Sequence, residues 1–318
     1  MGIRKDFLYI GDVSDNTVKR FNAFTGKFLG NFVTSGSGGL LGPQGLIFRD
    51  DGNLLVSNQN VGLPQNGNML TYNRQTGAFL DELVSSDQEG APFAPRGIVL
   101  SNNNILYVAD LESPSSNEVS EPGELRSYNG STGDFLGIFN HSGFNGEFFP
   151  RGVVIGPDHL LYVSVFNEFD LLDGWVLRFD PETMELVDIF IESDDVNNLH
   201  RPEGLVFGPD GNLYITSFRA DANDTDKILV FNGTTGALIK KIDLYEVGEP
   251  RAFAQVILFG PEGKLFVPIT GGGPDTGSVR RYDIGSGSFD VFVPSGISGV
   301  PFYLTFGNTD PATLNYQE

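Results

Sequence analysis

The chain has 318 residues, with 41 acidic against 20 basic side chains, a formal net charge of −21 and no cysteine. The lack of cysteine excludes disulfides and Cys-ligated zinc or iron–sulfur sites, and the acidic excess argues against nucleic acid or anionic membranes as partners. Apolar runs are of strand length and too short to span a bilayer, so we expect a soluble protein, secreted or periplasmic if a leader has been removed and cytoplasmic otherwise.

In chain order, the first clear feature is a sequence segment that is repeated along the whole chain. It starts at Pro43 with Pro-Gln-Gly-Leu-Ile-Phe and continues through Asp-Gly-Asn to a second apolar run, and its clearest later copy starts at Pro202. The copies are anchored, at intervals of 52 to 55 residues, on Gly45, Gly97, Gly152, Gly204 and Val256. Apolar runs separated by Asp-Gly turns indicate paired β-strands.

A second module alternates with the first. It consists of an aromatic residue, then Asn or Asp, and a Thr-Gly pair three residues later, which Met184 and Ser286 break in two of the copies. The six copies centre on Phe21, Tyr72, Tyr128, Phe179, Phe231 and Tyr282. Each copy is typical of a short hairpin with glycine at the position that needs a positive φ. Together the two modules supply four strands to each repeat.

Four antiparallel strands in every fifty-odd residues are typical of a β-propeller blade. The chain opens on a second strand, at 6–10, and the missing first strand is found at 302–307, so the two chain ends should share a blade. The sequence therefore predicts an all-β, six-bladed β-propeller in a single domain, 1–318. The expected blades are 1–33 plus 301–308, 43–84, 95–140, 150–192, 202–243 and 254–293.

One face of such a ring should carry the ligand. The first-to-second and third-to-fourth turns are short and alike, whereas the opposite face has long, dissimilar loops at 59–67, 111–123, 167–174 and 219–226. At the start of the innermost strands we expect a polar ring of Gln44, Arg96, Arg151, Glu203 and Gln255, with Phe302 in the last blade. The second strands should add Asp12, Asn58, Asp110 and Ser217. The ring is a candidate ligand site; the alternative is that it only solvates a water-filled channel.

Arg96 and Arg151 occupy matched positions in adjacent blades of a very acidic protein. Two guanidinium groups that face one cavity repel each other unless an anion lies between them. Glu203 and Asp110 could supply that charge as a salt-bridged lining, and a carboxylate or phosphate ligand is the other possibility.

Carboxylates, amides and carbonyls on the loops suit calcium or another divalent metal, and 221–226 resembles the start of a calcium loop without its glycine and distal Glu. Glu203 and Asp110 are the candidate metal ligands in the channel. His200, three residues before Glu203, is a candidate for acid–base catalysis together with that carboxylate; an ordinary loop histidine is the alternative. No motif indicates a nucleotide or organic cofactor.

The repeat, above all Gly-Pro-Asp-Gly-Asn-Leu-Tyr-Ile from Gly208, resembles NHL-type six-bladed propellers. It is also similar to the group of SMP-30/gluconolactonase-type hydrolases and virginiamycin-B-type lyases. That resemblance implies a divalent metal in the channel, held by an acidic or amide residue just before an anchor glycine. Glu203 matches this position, Gln44 and Gln255 match through amide oxygens only, and the arginines at 96 and 151 do not match.

Two functions follow from these observations. The first is small-molecule binding in the central channel, with an anionic ligand favoured, and a metal-dependent lactonase-type hydrolase or a lyase as the enzyme classes that fit. The alternative is a non-catalytic, NHL-like scaffold that binds a protein partner through its long-loop face.

Overall fold

The computed structural model describes residues 5–113, 121–271 and 276–318. They form six four-stranded antiparallel sheets arranged as the blades of a β-propeller, as predicted. Helical structure in the described residues is limited to two 3₁₀ turns, Ser37–Gly39 and Pro261–Gly263.

Blades 1 to 3 are built from twelve strands, which follow one another from the axis outward. Blade 1 contains β24 (Pro301–Phe306), β1 (Phe7–Asp12), β2 (Thr17–Asn22) and β3 (Phe28–Val33). Blade 2 contains β4 (Pro43–Phe48), β5 (Leu54–Asn58), β6 (Asn68–Tyr72) and β7 (Phe79–Val84). Blade 3 contains β8 (Pro95–Leu100), β9 (Ile105–Ser113), β10 (Glu121–Asn129) and β11 (Phe135–Ile138). Strands β9 and β10 extend into the predicted loop 111–123, whose residues 114–120 lie outside the described residues.

Blades 4 to 6 repeat the arrangement. Blade 4 contains β12 (Phe149–Ile155), β13 (Leu161–Phe166), β14 (Gly174–Asp180) and β15 (Glu185–Glu192). Blade 5 contains β16 (Leu205–Phe207), β17 (Leu213–Ser217), β18 (Lys227–Phe231) and β19 (Leu238–Asp243). Blade 6 contains β20 (Leu258–Phe259), β21 (Leu265–Ile269), β22 (Ser278–Tyr282) and β23 (Phe289–Val293).

The two ends of the chain meet in blade 1, as predicted. Strand β24 pairs with β1 in antiparallel register, with Leu8 opposite Phe306 and Ile10 opposite Leu304. All four of these side chains are buried. The innermost strand of the first blade therefore comes from the end of the sequence, and its pairing with β1 closes the ring.

The anchor glycines let the blades approach one another closely at the axis. A Cβ on Gly45 would lie 2.6 Å from the carbonyl oxygen of Arg96, and one on Gly204 would lie 2.5 Å from the Cα of Val256. Both neighbouring atoms belong to the backbone of the next blade and cannot move aside. The requirement at these two positions is therefore space and not a positive φ.

The Asn–Thr-Gly modules form the outer hairpins. In the first, the side-chain oxygen of Asn22 accepts hydrogen bonds from the N–H groups of Phe24 and Thr25, at 3.0 and 2.9 Å. Gly26 follows with a φ of 67°, in the left-handed region that glycine tolerates best. The side-chain cap and the glycine together produce the turn that the sequence repeats.

The C-terminal segment closes the channel at the face opposite the long loops. The carbonyl oxygens of Pro311 and Ala312 accept hydrogen bonds from the N–H groups of Leu100 and Ile155, where β8 and β12 end. Leu314 packs against the buried clusters of all the blades and lines the channel. Within residues 5–113, 121–271 and 276–318, the channel is therefore closed at this face and opens toward the long-loop face.

Candidate functional site

Four of the five predicted ring residues come together at the open end of the channel, which we call the mouth. Arg96 Nη1 donates to Oε1 of Gln44 at 3.2 Å, and Arg151 Nη1 lies 3.7 Å from Oε2 of Glu203. Gln44, Arg151 and Glu203 are buried, and Arg96 is half-buried. Gln255 is also buried, and its carbonyl oxygen lies against Gly204.

Tyr303, in the innermost strand of blade 1, lies between these groups. Burial raises the pKa of its hydroxyl to about 12, while Arg96 and Arg151 act to lower it and Glu203 to raise it. The charges of three different blades therefore act on a single buried hydroxyl. Sequence analysis singled out its neighbour Phe302 and missed Tyr303; Phe302 instead provides the ring beneath Arg96, at 6.0 Å.

Three arginines and three phenylalanines alternate along blades 4 to 6, and we call this group the arginine arc. The guanidinium of Arg151 lies 4.4 Å from the ring centre of Phe166, and Arg201 lies 5.9 Å from the same ring. Arg201 and Arg251 are each 5.3 Å from the ring of Phe218. Arg251 also lies 4.1 Å above Phe253. Stacking on aromatic faces stabilises the cations and fixes their orientation.

Sequence analysis missed Arg201 and Arg251, because only the residue before each anchor glycine was considered. Arg201 precedes that position by two residues, and the backbone brings it to the mouth through a φ of 44°. Phe253 has a φ of 49° at the corresponding approach to blade 6. Left-handed conformations of bulky residues are costly and concentrate at ligand sites. Both loops that supply the arc contain one residue in this unfavourable conformation.

The arc is only partly neutralised by the described acidic groups. Arg251 Nη2 forms a 2.6 Å ion pair with Asp226, whose carboxylate also accepts from the N–H groups of Ala252 and Phe253. Burial lowers the pKa of Arg201; Glu203 opposes this, and the neighbouring Arg151 adds to it. The Nε atoms of Arg151, Arg201 and Arg251 are buried without a hydrogen-bond partner. The site thus holds positive charge and donors that remain to be satisfied.

The predicted residues at the ends of the second strands have a different role. Asp110 accepts hydrogen bonds from the N–H groups of Phe93 and Ala94 and from Arg126 Nε, at 2.7 to 2.9 Å. Burial raises its pKa to about 6, whereas the attraction of Arg126 opposes the shift. The carboxylate fastens the loop that leads into β8, the innermost strand of the same blade, and its oxygens are occupied by that loop and by Arg126.

Asp12, Asn58 and Ser217 occupy corresponding positions. Asp12 accepts from the N–H groups of Gly299 and Val300 and from Lys19 Nζ, at 2.8 to 3.0 Å. Burial acts to raise its pKa, but hydrogen bonds from Lys19, Ser14 and Val300 together lower it. Asn58 accepts from the N–H of Leu41, and Ser217 from that of His200. Because these groups are engaged within the chain, they hold the loops in place and are poor candidates for contact with a ligand.

His200 is a buried histidine in the loop that leads into blade 5. Burial lowers its pKa, and the positive charge of Lys227 adds to the effect, so the ring is neutral at pH 7. Its Nδ1 atom is buried without a partner. Among the described charges that act on it, Asp224 and Lys241 are included and Glu203 is not. The predicted pairing of His200 with Glu203 stays a prediction.

The candidate metal ligands are a poor fit for a divalent cation. The described residues contain no group of three or more His, Asp or Glu side chains placed to hold a metal ion. Glu203 faces the guanidinium of Arg151, and Asp110 is bound by Arg126. Hard cations need several oxygens and no adjacent positive charge. In loop 221–226, Asp226 is paired with Arg251, and Asp224 with Lys227 at 2.5 Å.

Below the mouth the channel narrows to an apolar passage. Its open volume is about 30 Å³, with Leu46, Ile98, Val153, Leu205 and Leu314 among its lining residues. That volume holds one or two water molecules and no organic ligand. The depth of the channel therefore has no room for an organic molecule, and a ligand of that size would have to bind at the mouth.

Comparison with known proteins identifies the fold alone. No protein-family model and no curated protein matches the chain. Among solved structures, a catalytically inactive variant of virginiamycin B lyase from Staphylococcus aureus, with quinupristin, is similar with a TM-score of 0.56 and 15% identity over 95% of this chain and 92% of that one.

Two further structures show the same architecture. A putative gluconolactonase gives a TM-score of 0.55 and 16% identity over 80% of this chain and 79% of that one. Hydrazine synthase from Kuenenia stuttgartiensis gives a TM-score of 0.57 and 16% identity over 86% of this chain and 73% of that one. They share the propeller. Function must be argued from the site itself.

Proposed function

We propose that the mouth binds a small anionic molecule, with a carboxylate or a phosphate group held by Arg96 and by the arginine arc, to which Arg151 belongs. The observation that carries the proposal is the set of buried and half-buried, ring-stacked guanidinium groups with unsatisfied Nε atoms in a protein of net charge −21. Planar guanidinium groups bind such anions through paired hydrogen bonds.

The geometry supports a ligand at the mouth for two reasons. Closure of the far end by Leu314 and the narrow passage leave one accessible compartment. Stacking also restricts the arginine rotamers before a ligand arrives, which reduces the entropy lost on binding. The site is therefore organised before binding and has a single entrance.

Calorimetric titration with acetate, benzoate and inorganic phosphate tests the proposal. We expect at least one of these anions to bind, and Arg151→Gln to weaken it about tenfold to a hundredfold, as for a lost hydrogen bond to a charged group. Arg74→Gln, an exposed arginine at the opposite face, is the matched control and should leave binding unchanged. Equal affinities in wild type and the Arg151 variant would refute the proposal.

Catalysis on the bound anion is a second candidate, with hydrolysis of a lactone or a lyase reaction as the classes suggested by the sequence. The observation in its favour is Glu203, a carboxylate only 3% exposed that lies at the mouth beside Arg151. It would act as the base, and the arginines would stabilise negative charge that develops on the substrate. In a turnover assay, Glu203→Gln should abolish activity while the melting temperature changes little.

The alternative is a non-catalytic platform for a protein partner on the long-loop face. Val196 and Val247, in loops on that face, are 70% and 57% exposed, which favours this possibility. None of the helical turns in the described part of the chain has the length and apolar character needed to cross a membrane. A platform of this kind would show no response of the melting temperature to small anions.

A further inference from the structure

An open cavity lies next to Arg96, between the loop after β5 and the start of blade 3. Its volume is about 240 Å³. Its lining is mixed: apolar side chains form one part, and the amide groups of Gln59, Asn60 and Gln65 together with one guanidinium form the other. The lining includes Val61, Leu63, Phe93, Ala94, Arg96 and Leu111.

The apolar wall continues from this cavity into blade 4. Leu111 forms a buried cluster with Phe149 and Phe166, and Ala94 packs against that cluster. The ring of Phe149 in turn meets the edge of Phe169, with ring centres 6.1 Å apart. Since Phe166 is also the ring beneath Arg151, the wall has a guanidinium group at each end.

Exposed apolar side chains extend this wall into solvent. Leu63 is 46% exposed, Val61 55% and Phe169 63%. Val61 and Leu63 line the cavity itself, whereas Phe169 packs on Phe149 at the far side of the buried cluster. Apolar side chains that stand singly on a surface need no explanation, but two of these three face one cavity beside a cation. A purely polar anion would contact only the guanidinium groups, and the apolar side chains would stay in contact with water.

We propose that the ligand is a small amphipathic acid, with its carboxylate on Arg96 and Arg151 and an aromatic or aliphatic body against Leu63, Phe93 and Leu111. This inference rests on the proposed function and specifies its ligand class. The charge of the guanidinium groups complements the carboxylate, and the wall complements the body. A polyhydroxylated sugar acid is disfavoured, because it has little apolar surface to bury against Leu63, Phe93 and Leu111.

The cavity also limits the size of the body. At about 240 Å³ it is smaller than the roughly 300–1,000 Å³ of pockets for drug-sized ligands. A phenyl ring or a chain of a few carbons suits that space. Each methylene placed against the wall should strengthen binding about fourfold, which is the transfer free energy of a methylene expressed as a ratio of affinities.

The test compares 3-phenylpropanoate with gluconate and with the neutral 3-phenylpropanamide by calorimetric titration of the full chain. We expect 3-phenylpropanoate to bind at least about tenfold more tightly than gluconate, since its phenyl ring and methylenes bury apolar surface. The amide should bind at least about tenfold more weakly than the acid, since it lacks the charge.

Leu63→Ser and Val61→Ser test the wall. Both side chains are largely exposed, so the variants should fold, and each should weaken 3-phenylpropanoate about threefold or more without changing the affinity for gluconate. Phe289→Ser is the matched control, since Phe289 is 48% exposed on β23 at the outer edge of blade 6. It should change neither affinity.

The possible failures can be told apart. Gluconate binding as tightly as 3-phenylpropanoate, or full affinity for 3-phenylpropanoate in both wall variants, would overturn this inference; if Arg151→Gln still weakened the bound acid, the proposed function would stand. If no acid bound, or binding did not depend on Arg151, both would be overturned.

Discussion

Replacement of Glu203 by Gln gives the sharpest prediction for the mouth, because the sign of its effect separates an anion site from a metal site. Glu203 is the buried carboxylate that faces Arg151 at 3.7 Å. It neutralises part of the cation that a ligand carboxylate would contact. Removal of its charge should therefore strengthen the binding of an anion. If Glu203 held a metal ion that binds the ligand, the same change should weaken binding.

The size of the effect follows from Coulomb's law. A ligand carboxylate on the far side of the Arg151 guanidinium lies about 7 Å from Glu203, and the repulsion is then about 2.4 kcal/mol at a dielectric constant of 20 and about 0.6 kcal/mol in water. The corresponding gain in affinity is about threefold to sixtyfold. Water at the mouth favours the lower half of this range.

Titration calorimetry with 3-phenylpropanoate or benzoate measures the effect, and a thermal melt of each protein shows that the variant is folded. Glu182→Gln makes the same charge change at an exposed position in the outer hairpin of blade 4 and should leave affinity unchanged. Unchanged or weaker binding in the Glu203 variant, with normal folding, would refute the placement of the anion beside Arg151.

Three further predictions concern the scaffold and the metal. Asp12→Asn should lower the free energy of unfolding, measured in urea at pH 7, by about 3 kcal/mol. Asp15→Asn, at the more exposed partner of Lys19, should lower it by less than about 1 kcal/mol. Because the pKa of Asp12 is lowered in the folded state, the difference between the two variants should persist above about pH 4 and disappear in stronger acid. Gly204→Ala should cost about 1–3 kcal/mol in the same assay, and Gly143→Ala, whose Cβ would meet nothing closer than 3.7 Å, should cost far less. Millimolar calcium should leave the melting temperature unchanged, and a rise of several degrees would demonstrate a site that the described side chains do not form.

The propeller was predictable because its signals are local and repeated. Each Asn–Thr-Gly module specifies its own hairpin, and each anchor glycine marks a place where the next blade touches. The same regularity located Gln44, Arg96, Arg151 and Glu203 at one end of the channel, because equivalent positions of a repeat occupy equivalent places in the ring.

The arginine arc was not predictable in this way. Arg201 and Arg251 lie in loops of unequal length, and the left-handed turns at Arg201 and Phe253 direct the chain in a manner that the repeat does not encode. The role of Asp12 and Asp110 as loop fasteners was missed for a related reason. A carboxylate at a strand end looks the same in sequence whether it faces a ligand or the N–H groups of a neighbouring loop. The closure by Leu314 involves a segment outside the repeat altogether.

The placement of a cationic mouth on an acidic exterior has a kinetic consequence. An approaching anion is repelled by the net charge of −21 until it comes within about 8 Å, the screening distance at physiological ionic strength, of the guanidinium groups. Added salt should thus speed the encounter while it weakens the final contact. Capture would be fastest in saline surroundings, and an anion once seated would be released slowly in dilute ones.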